Sequence, residues 1–214
     1  MCSGFPEQAL VFYEGLRADN TKAYWTDHKA TYDSAVKAPM EALLAQLEPE
    51  FGKAKLFRPY RDVRFSKDKT PYKDHAAAVV HGERSGALYV QLSADGLYVG
   101  GGYWHTSTDQ GQRLRAAVAD DLTGAQLDRV LASLADWEVL GERYKRLPKP
   151  YSPDHPRAEL LHHKALAVGL AHEPAEWLHE PECGERVAQA WRQAVPLRDW
   201  LDQHVGPPRS EVQV

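Results

Sequence analysis

The amino-acid sequence predicts an α+β fold, a single domain in which an antiparallel sheet of about four to five strands packs against N- and C-terminal helices. Three observations predict it: helical periodicity up to residue 51, extended-favouring runs confined to residues 56–105, and helical periodicity again afterwards. With 214 residues, 43% hydrophobic, the chain can bury a real core. We assign the domain to residues 4–205 and expect residues 206–214 to fray.

Two helical regions precede the predicted sheet. Residues 6–16 begin with proline, which a first helical turn accepts, and place apolar residues on one face, so they predict a short helix. Asp19 or Asn20 can cap a longer helical stretch. Pro39 is expected to kink or restart this stretch, which runs to about Phe51.

The middle of the chain predicts the strands. Residues 56–65 (LFRPYRDVRF) and 75–82 (HAAAVVHG) are extended-favouring or apolar runs. Residues 88–92 alternate apolar and polar side chains, Asp95-Gly96 supplies a tight turn, and residues 97–105 (LYVGGGYWH) return. The last two runs therefore predict a β-hairpin.

The remainder of the sequence is mainly helical. Ser107 with Gln110, and Thr123 with Gln126, have the spacing of capping boxes ahead of apolar residues. They predict two helices after the sheet. The last helix is expected to cover Glu185–His204.

Composition narrows the class of function. The net charge of −4 disfavours a generally basic nucleic-acid binder. The cysteines Cys2 and Cys183 are far apart, with one at the terminus, so we expect no structural disulfide and a cytoplasmic protein. We find no export signal and no apolar run of the roughly 18 residues that cross a bilayer, and no cofactor is implied.

One segment is strongly basic. Residues 53–73 carry eight basic and two acidic side chains, so this stretch is +6 and the rest of the chain is −10. Guanidinium groups bind phosphate or carboxylate through two parallel hydrogen bonds, and lysines add point charge. The sequence therefore predicts an anion site with these ligand-binding residues: Arg58, Arg64, Ser66, Lys67, Lys69, Tyr72, Lys73, Gly101 and Gly102.

Strand geometry would separate the arginines of this segment. If residues 57–67 form a strand, Arg61 shares a face with Val63 and points toward the core. We therefore predict that Arg61 makes a structural ion pair that ties helix to sheet. Arg58 and Arg64 would lie on the opposite face, as either solvated charges or anion ligands.

Two further features have alternative interpretations. The loop from Lys67 to Lys73 presents its lysines either as an anion site or as soluble loop charges. Gly101 and Gly102 indicate either a bulge or the floor of a pocket beside the basic loop.

The sequence predicts no metal site and shows no motif for nucleophilic catalysis. His75 and His81 would lie about 20 Å apart on one strand, too far to share a metal ion. We find no GxSxG motif, and Cys183 lies at what looks like an ordinary helix start.

The run FRPYRDVRFSKDKTPYK, together with Asn20, Trp25, GGGYW and LPKPY, resembles the domain-of-unknown-function family 2461 (DUF2461), a bacterial group with fungal members. The resemblance covers about residues 4–205. It implies no activity and no catalytic residues. The chain departs from the family at Asp19-Asn20, where paired asparagines are common, which leaves Asp19 without an implied role.

The sequence supports several hypotheses about function. The leading one is a pocket for a phosphorylated or carboxylated small molecule at the basic loop. The second is a non-catalytic protein-interaction or structural domain whose basic run forms internal salt bridges. A phosphoester-acting enzyme and a weak nucleic-acid binder are further alternatives.

Overall fold

Helices form the N-terminal part of the chain in the computed structural model, which describes residues 2–64, 67–82 and 85–209. They are α1 (Gln8–Ala18), α2 (Lys22–Asp27), α3 (Lys29–Thr31), a π-helical segment (Tyr32–Lys37) and α4 (Ala38–Phe51). Pro39 does not break this stretch. It lies in the first turn of α4, directly after the π-helical segment, where Ala38 N donates to Asp33 O. The helix is instead interrupted at His28, between α2 and α3.

The strands form one six-stranded antiparallel sheet in the order β1-β2-β3-β4-β6-β5. They are β1 (Ala54–Leu56), β2 (His75–His81), β3 (Ala87–Ser93), β4 (Gly96–Gly102), β5 (Glu138–Leu140) and β6 (Ala167–His172). In the register, Ala54 of β1 pairs with Val80, and Glu138 of β5 pairs with Gly169. The α+β fold is confirmed, with six strands rather than four to five because β5 and β6 lie in the stretch that was assigned to helices.

The strand expected over residues 56–65 does not extend past Leu56 among the described residues. Tyr60 and Tyr72 form an isolated bridge, flanked by hydrogen bonds from Arg61 N to Pro71 O (2.9 Å) and from Lys73 N to Pro59 O (2.8 Å). The two prolines have no N–H to donate, so a continuous ladder cannot form. Residues 65 and 66 of the expected strand lie outside the described residues.

The remaining helices are α5 (Thr108–Ala119), α6 (Asp121–Ala132), α7 (Ala158–Leu161), a 3-10 turn (Glu176–His179) and α8 (Glu182–His204). The capping box of Ser107 and Gln110 is present at the start of α5. The helix cap predicted at Thr123 is wrong, because α6 is capped three residues earlier. Asp120 caps α6 by accepting hydrogen bonds from the N–H groups of Leu122 and Thr123, which leaves Thr123 inside the helix.

The chain divides into two compact units, each with its own apolar core. The first comprises Met1–Val80, Tyr89–Val99 and Ala171–Gln189; fully buried there are Leu16, Val36, Met40 and Leu43. The second comprises His81–Leu88, Gly100–Leu170 and Ala190–Val214; fully buried there are Leu88, Leu127, Trp191 and Leu197. The single domain over residues 4–205 stays a prediction.

The described part of the C-terminal tail is bonded to α5. Gln110 Nε2 donates to Gly206 O (2.7 Å), and the N–H of Arg209 donates to Asp109 Oδ2 (3.0 Å). Residues 210–214 of the tail that we expect to fray lie outside the described residues. In the described ranges, no helix combines the length and the apolar character that a membrane span requires.

Both cysteines are buried and neither forms a disulfide. Cys2 is 1% exposed, and its backbone N–H donates to Gln46 Oε1 at 2.8 Å. The chain is therefore held at Cys2, where the sequence suggested little order. Burial, with a smaller effect of Cys2, raises the pKa of the Cys183 thiol to about 12.

We predict that neither thiol reacts with iodoacetamide in the folded protein on the timescale that labels a free cysteine, since the thiolate is the nucleophile and both side chains are covered. In guanidinium chloride, mass spectrometry should show both thiols alkylated. Rapid labelling of the native protein would contradict this burial.

Candidate functional site

A cavity of about 400 Å³ opens between the N-terminal helices and the segment after β1, within the first unit. Its size falls in the range of small-molecule sites, roughly 300–1,000 Å³. Four aromatic side chains line it: Trp25, Tyr32, Phe57 and Tyr60. Five charged side chains line it as well: Lys29, Asp33, Lys37, Glu41 and Arg58.

The aromatic side of the cavity is built around Trp25. Its ring stacks on Tyr72, with centroids 4.4 Å apart and planes 8° apart, and lies 4.8 Å from Tyr32 and 6.0 Å from Tyr60. Trp25 is 4% exposed, whereas Tyr60 is 50% exposed. The cavity thus has a rigid aromatic wall that ends in an accessible ring.

Asn20 holds the backing ring of this wall in place. Its side-chain Nδ2 donates to Tyr72 O (3.0 Å), and its Oδ1 accepts from Tyr72 N (3.1 Å). The amide therefore satisfies both backbone groups of a residue whose neighbour Pro71 has no N–H to offer.

The charges in the lining leave one cation in excess. Lys29 forms an ion pair with Asp33, and Lys37 Nζ lies 3.8 Å from Glu41 Oε1, both pairs spaced one helical turn apart. Arg58 makes no hydrogen bond or ion pair with any residue in the described ranges. The lining cation without an ion pair is therefore Arg58, which is exposed. After the hydrogen bonds from Arg64, its charge helps to lower the pKa of the nearby Asp62 carboxyl.

Lys73 lies close enough to Arg58 for the arginine charge to affect its pKa. Its Nζ lies 5.0 Å from the centroid of the Phe57 ring. Burial, followed by the charges of Arg58 and Arg61, lowers the pKa of Lys73. Lys73 therefore lies within the positive field of both arginines.

Tyr32 contributes a neutral donor. Burial, and then the carboxylates of Asp33 and Glu41, raise the pKa of Tyr32 to about 12. Its hydroxyl therefore stays protonated at physiological pH and can donate to an acceptor in the cavity.

Several predicted ligand residues are engaged inside the basic segment. Arg64 binds the carboxylate of Asp62 through Nε (2.9 Å) and Nη2 (2.6 Å), and Lys69 Nζ donates to Val63 O (2.9 Å). Lys67 is exposed. Ser66 lies outside the described residues. These cations do not line the cavity.

Arg61 forms ion pairs with nearby acids of the same loop rather than with a helix. Its guanidinium binds Asp68, lies 3.4 Å from Asp74 Oδ1 and donates to Thr70 Oγ1 at 3.0 Å. The side chain is 30% exposed, so Arg61 is not the core-facing residue of a strand. Arg61 therefore connects the two ends of its own loop through these bonds.

Gly101 and Gly102 are buried in the second unit. A Cβ added to Gly101 would lie 2.7 Å from the Cβ of Ala194, and one added to Gly102 would lie 2.7 Å from the Cα of Ala167. Gly102 also has a φ of +127°, which disfavours other residues. Close packing accounts for both glycines, and their role as a pocket floor stays a prediction without support from a contact.

Sequence reasoning identified Arg58 but missed most of the cavity. Trp25 and Tyr32 are not among the predicted ligand residues, and Phe57 enters only as part of the expected strand. A spacing of seven residues would place the Trp25 and Tyr32 rings on one face of a regular helix, but the helix is interrupted at His28 between them. The sequence does not show that this face leaves a cavity.

No group of three His, Cys, Asp or Glu side chains in the described ranges is arranged to hold a metal ion. A family model described as "Conserved hypothetical protein (DUF2461)" matches residues 8–200. No curated protein matches the chain.

Proposed function

Because the chain belongs to the DUF2461 family, described only as conserved hypothetical proteins, we propose its function from the site itself: the cavity beside Arg58 binds a small molecule that carries a flat ring and a phosphate or carboxylate group. The observation that carries the proposal is an arginine that makes no hydrogen bond or ion pair with the described residues, at the edge of an aromatic cavity.

Each part of such a ligand has a matching part of the site. The accessible face of Tyr60 and the wall behind it offer a surface for a ring to pack on. The guanidinium offers two parallel N–H donors to an oxyanion. Tyr32 adds a neutral hydroxyl, and Lys73 adds positive charge behind Phe57.

A second candidate, a structural or protein-interaction domain, is favoured by the internal bonds of the basic segment. Arg61, Arg64 and Lys69 are all engaged within it. This interpretation accounts for those residues and treats Arg58, which is exposed, as a solvated charge. The two remaining hypotheses, a phosphoester-acting enzyme and a nucleic-acid binder, depend on the same cations. No further contact in the described part of the chain favours either hypothesis.

We predict that phenyl phosphate raises the melting temperature more than sodium chloride of equal ionic strength. Arg58→Gln should weaken phenyl phosphate binding about tenfold or more in isothermal titration calorimetry, because a hydrogen-bonded charge contributes about 1.5–3 kcal/mol. Inorganic phosphate lacks the ring and phenol lacks the charge, so both should bind more weakly.

Arg64→Gln is the matched control. Arg64 belongs to the same basic segment, but its side chain is 77% exposed and already paired with Asp62. We expect this variant to bind phenyl phosphate like the parent. Equal binding by Arg58→Gln and the parent, or no binding of phenyl phosphate or benzoate at about 10 mM, would reject the proposal and favour the structural candidate.

A further inference from the structure

The second unit contains a buried arginine that forms no hydrogen bond or ion pair with the described residues. Arg115, in α5, is 8% exposed. Its Nη1 atom is buried and has no hydrogen-bond partner. The guanidinium makes no hydrogen bond or ion pair with any residue that the structure describes.

Arg157, another buried arginine of the second unit, is fully hydrogen-bonded and serves as a comparison. It is 9% exposed, and all three of its guanidinium nitrogens are bonded. Nε donates to Val118 O (2.6 Å), Nη2 to Asp120 O (3.1 Å) and Nη1 to Asp128 Oδ2 (3.1 Å). A cation removed from water without hydrogen-bond partners is costly, so the contrast shows that the Arg115 guanidinium has donor capacity left for a ligand.

The surroundings of Arg115 are aromatic and carry one excess positive charge. The Cζ atom of Arg115 lies 5.2 Å from the Tyr144 ring centroid, and Lys164 Nζ lies 5.1 Å from the same centroid. Lys164 is paired with Glu142, which leaves the charge of Arg115 uncompensated. Tyr144 is 37% exposed and the Lys164 side chain 34% exposed, so solvent borders this cluster.

We propose that Arg115 binds the carboxylate of a small organic acid, at a site distinct from the cavity beside Arg58. One negative charge neutralises the single excess positive charge. The two oxygens of a carboxylate also match the fork of the guanidinium. A phosphate dianion would place a second negative charge near Glu142, which disfavours it.

The test follows the arginine Nε–Hε signals of the parent protein by NMR while acetate replaces chloride at constant ionic strength. We expect the Arg115 signal, assigned through its own side-chain correlations, to shift saturably. The melting temperature should rise by about 2 °C or more at about 100 mM acetate. Arg115→Lys, which keeps the charge but loses the fork, should lose this rise.

Two control variants isolate the site. Arg129→Gln removes an exposed arginine of α6 and should keep the acetate response. Arg58→Gln should keep it as well, which separates this site from the proposed function. If the Arg115 signal does not shift at about 200 mM acetate, the proposal is overturned. A larger shift with inorganic phosphate would overturn the carboxylate assignment.

Discussion

Replacing Trp25 by alanine is expected to lower the free energy of unfolding by about 3–5 kcal/mol, the usual cost of removing a buried tryptophan. The ring is 4% exposed, stacks on Tyr72 and packs against Tyr32 and the edge of Phe12. Its removal leaves a void that these rings cannot close. Guanidinium melts should show a lower midpoint with an unchanged slope.

Tyr60→Ala is the control for Trp25→Ala. Tyr60 lies 6.0 Å from Trp25 but is 50% exposed, so we expect a loss below about 1 kcal/mol. The same variant should weaken phenyl phosphate binding, since Tyr60 offers the accessible ring. A loss of stability as large as that of Trp25→Ala would show that Tyr60 belongs to the core and not to the edge of a cavity.

The second large effect is expected at Arg157. Val118 lies at the C-terminal end of α5, where helix carbonyls lack intrahelical partners, and Arg157 Nε satisfies its carbonyl. Arg157 Nη2 also donates to Asp120 O, which accepts from Gly124 N as well (2.9 Å). We predict that Arg157→Ala lowers the free energy of unfolding by about 3 kcal/mol, since buried acceptors lose charged donors.

Arg143→Ala is the matched control for Arg157→Ala in the second unit. Arg143 binds Glu159 at 2.6 Å, but the two side chains are 47% and 85% exposed. An ion pair of this kind contributes under about 1 kcal/mol. Urea melts of the two variants should therefore differ by about 2 kcal/mol or more, and equal losses would contradict the capping role of Arg157.

Turn and capping residues were sufficient to predict the elements that they themselves begin or connect. The β3–β4 hairpin follows from Asp95-Gly96 between alternating residues, and α5 begins at the capping box of Ser107. β5 has only three residues, too few to show a period, and its place in the sheet comes from pairing with β6. Such pairing is a tertiary effect that periodicity does not report.

The candidate site was harder to predict because its arginines are distinguished by their partners rather than by their spacing. The strand hypothesis placed Arg61 and Arg64 on opposite faces, but Pro59 and Pro71 prevent the ladder that would define faces. Arg64 bonds to Asp62, two residues away, and Arg61 to Asp68. Among the described arginines of the basic segment, Arg58 alone makes no hydrogen bond or ion pair, and residue type alone does not single it out.

The π-helical segment Tyr32–Lys37 makes the position of any length change in the N-terminal helical region critical. A π turn holds about one residue more than an α turn, so deleting one residue there would restore regular α-helix and leave the face of α4 unchanged. Deleting one residue in α4 before Glu41, where each residue advances the helix by about 100°, would rotate the rest of the helix by that angle. Glu41 would then leave the cavity that Trp25 lines. In homologues with this cavity, a one-residue deletion is therefore expected within the π-helical segment and not between Ala38 and Glu41.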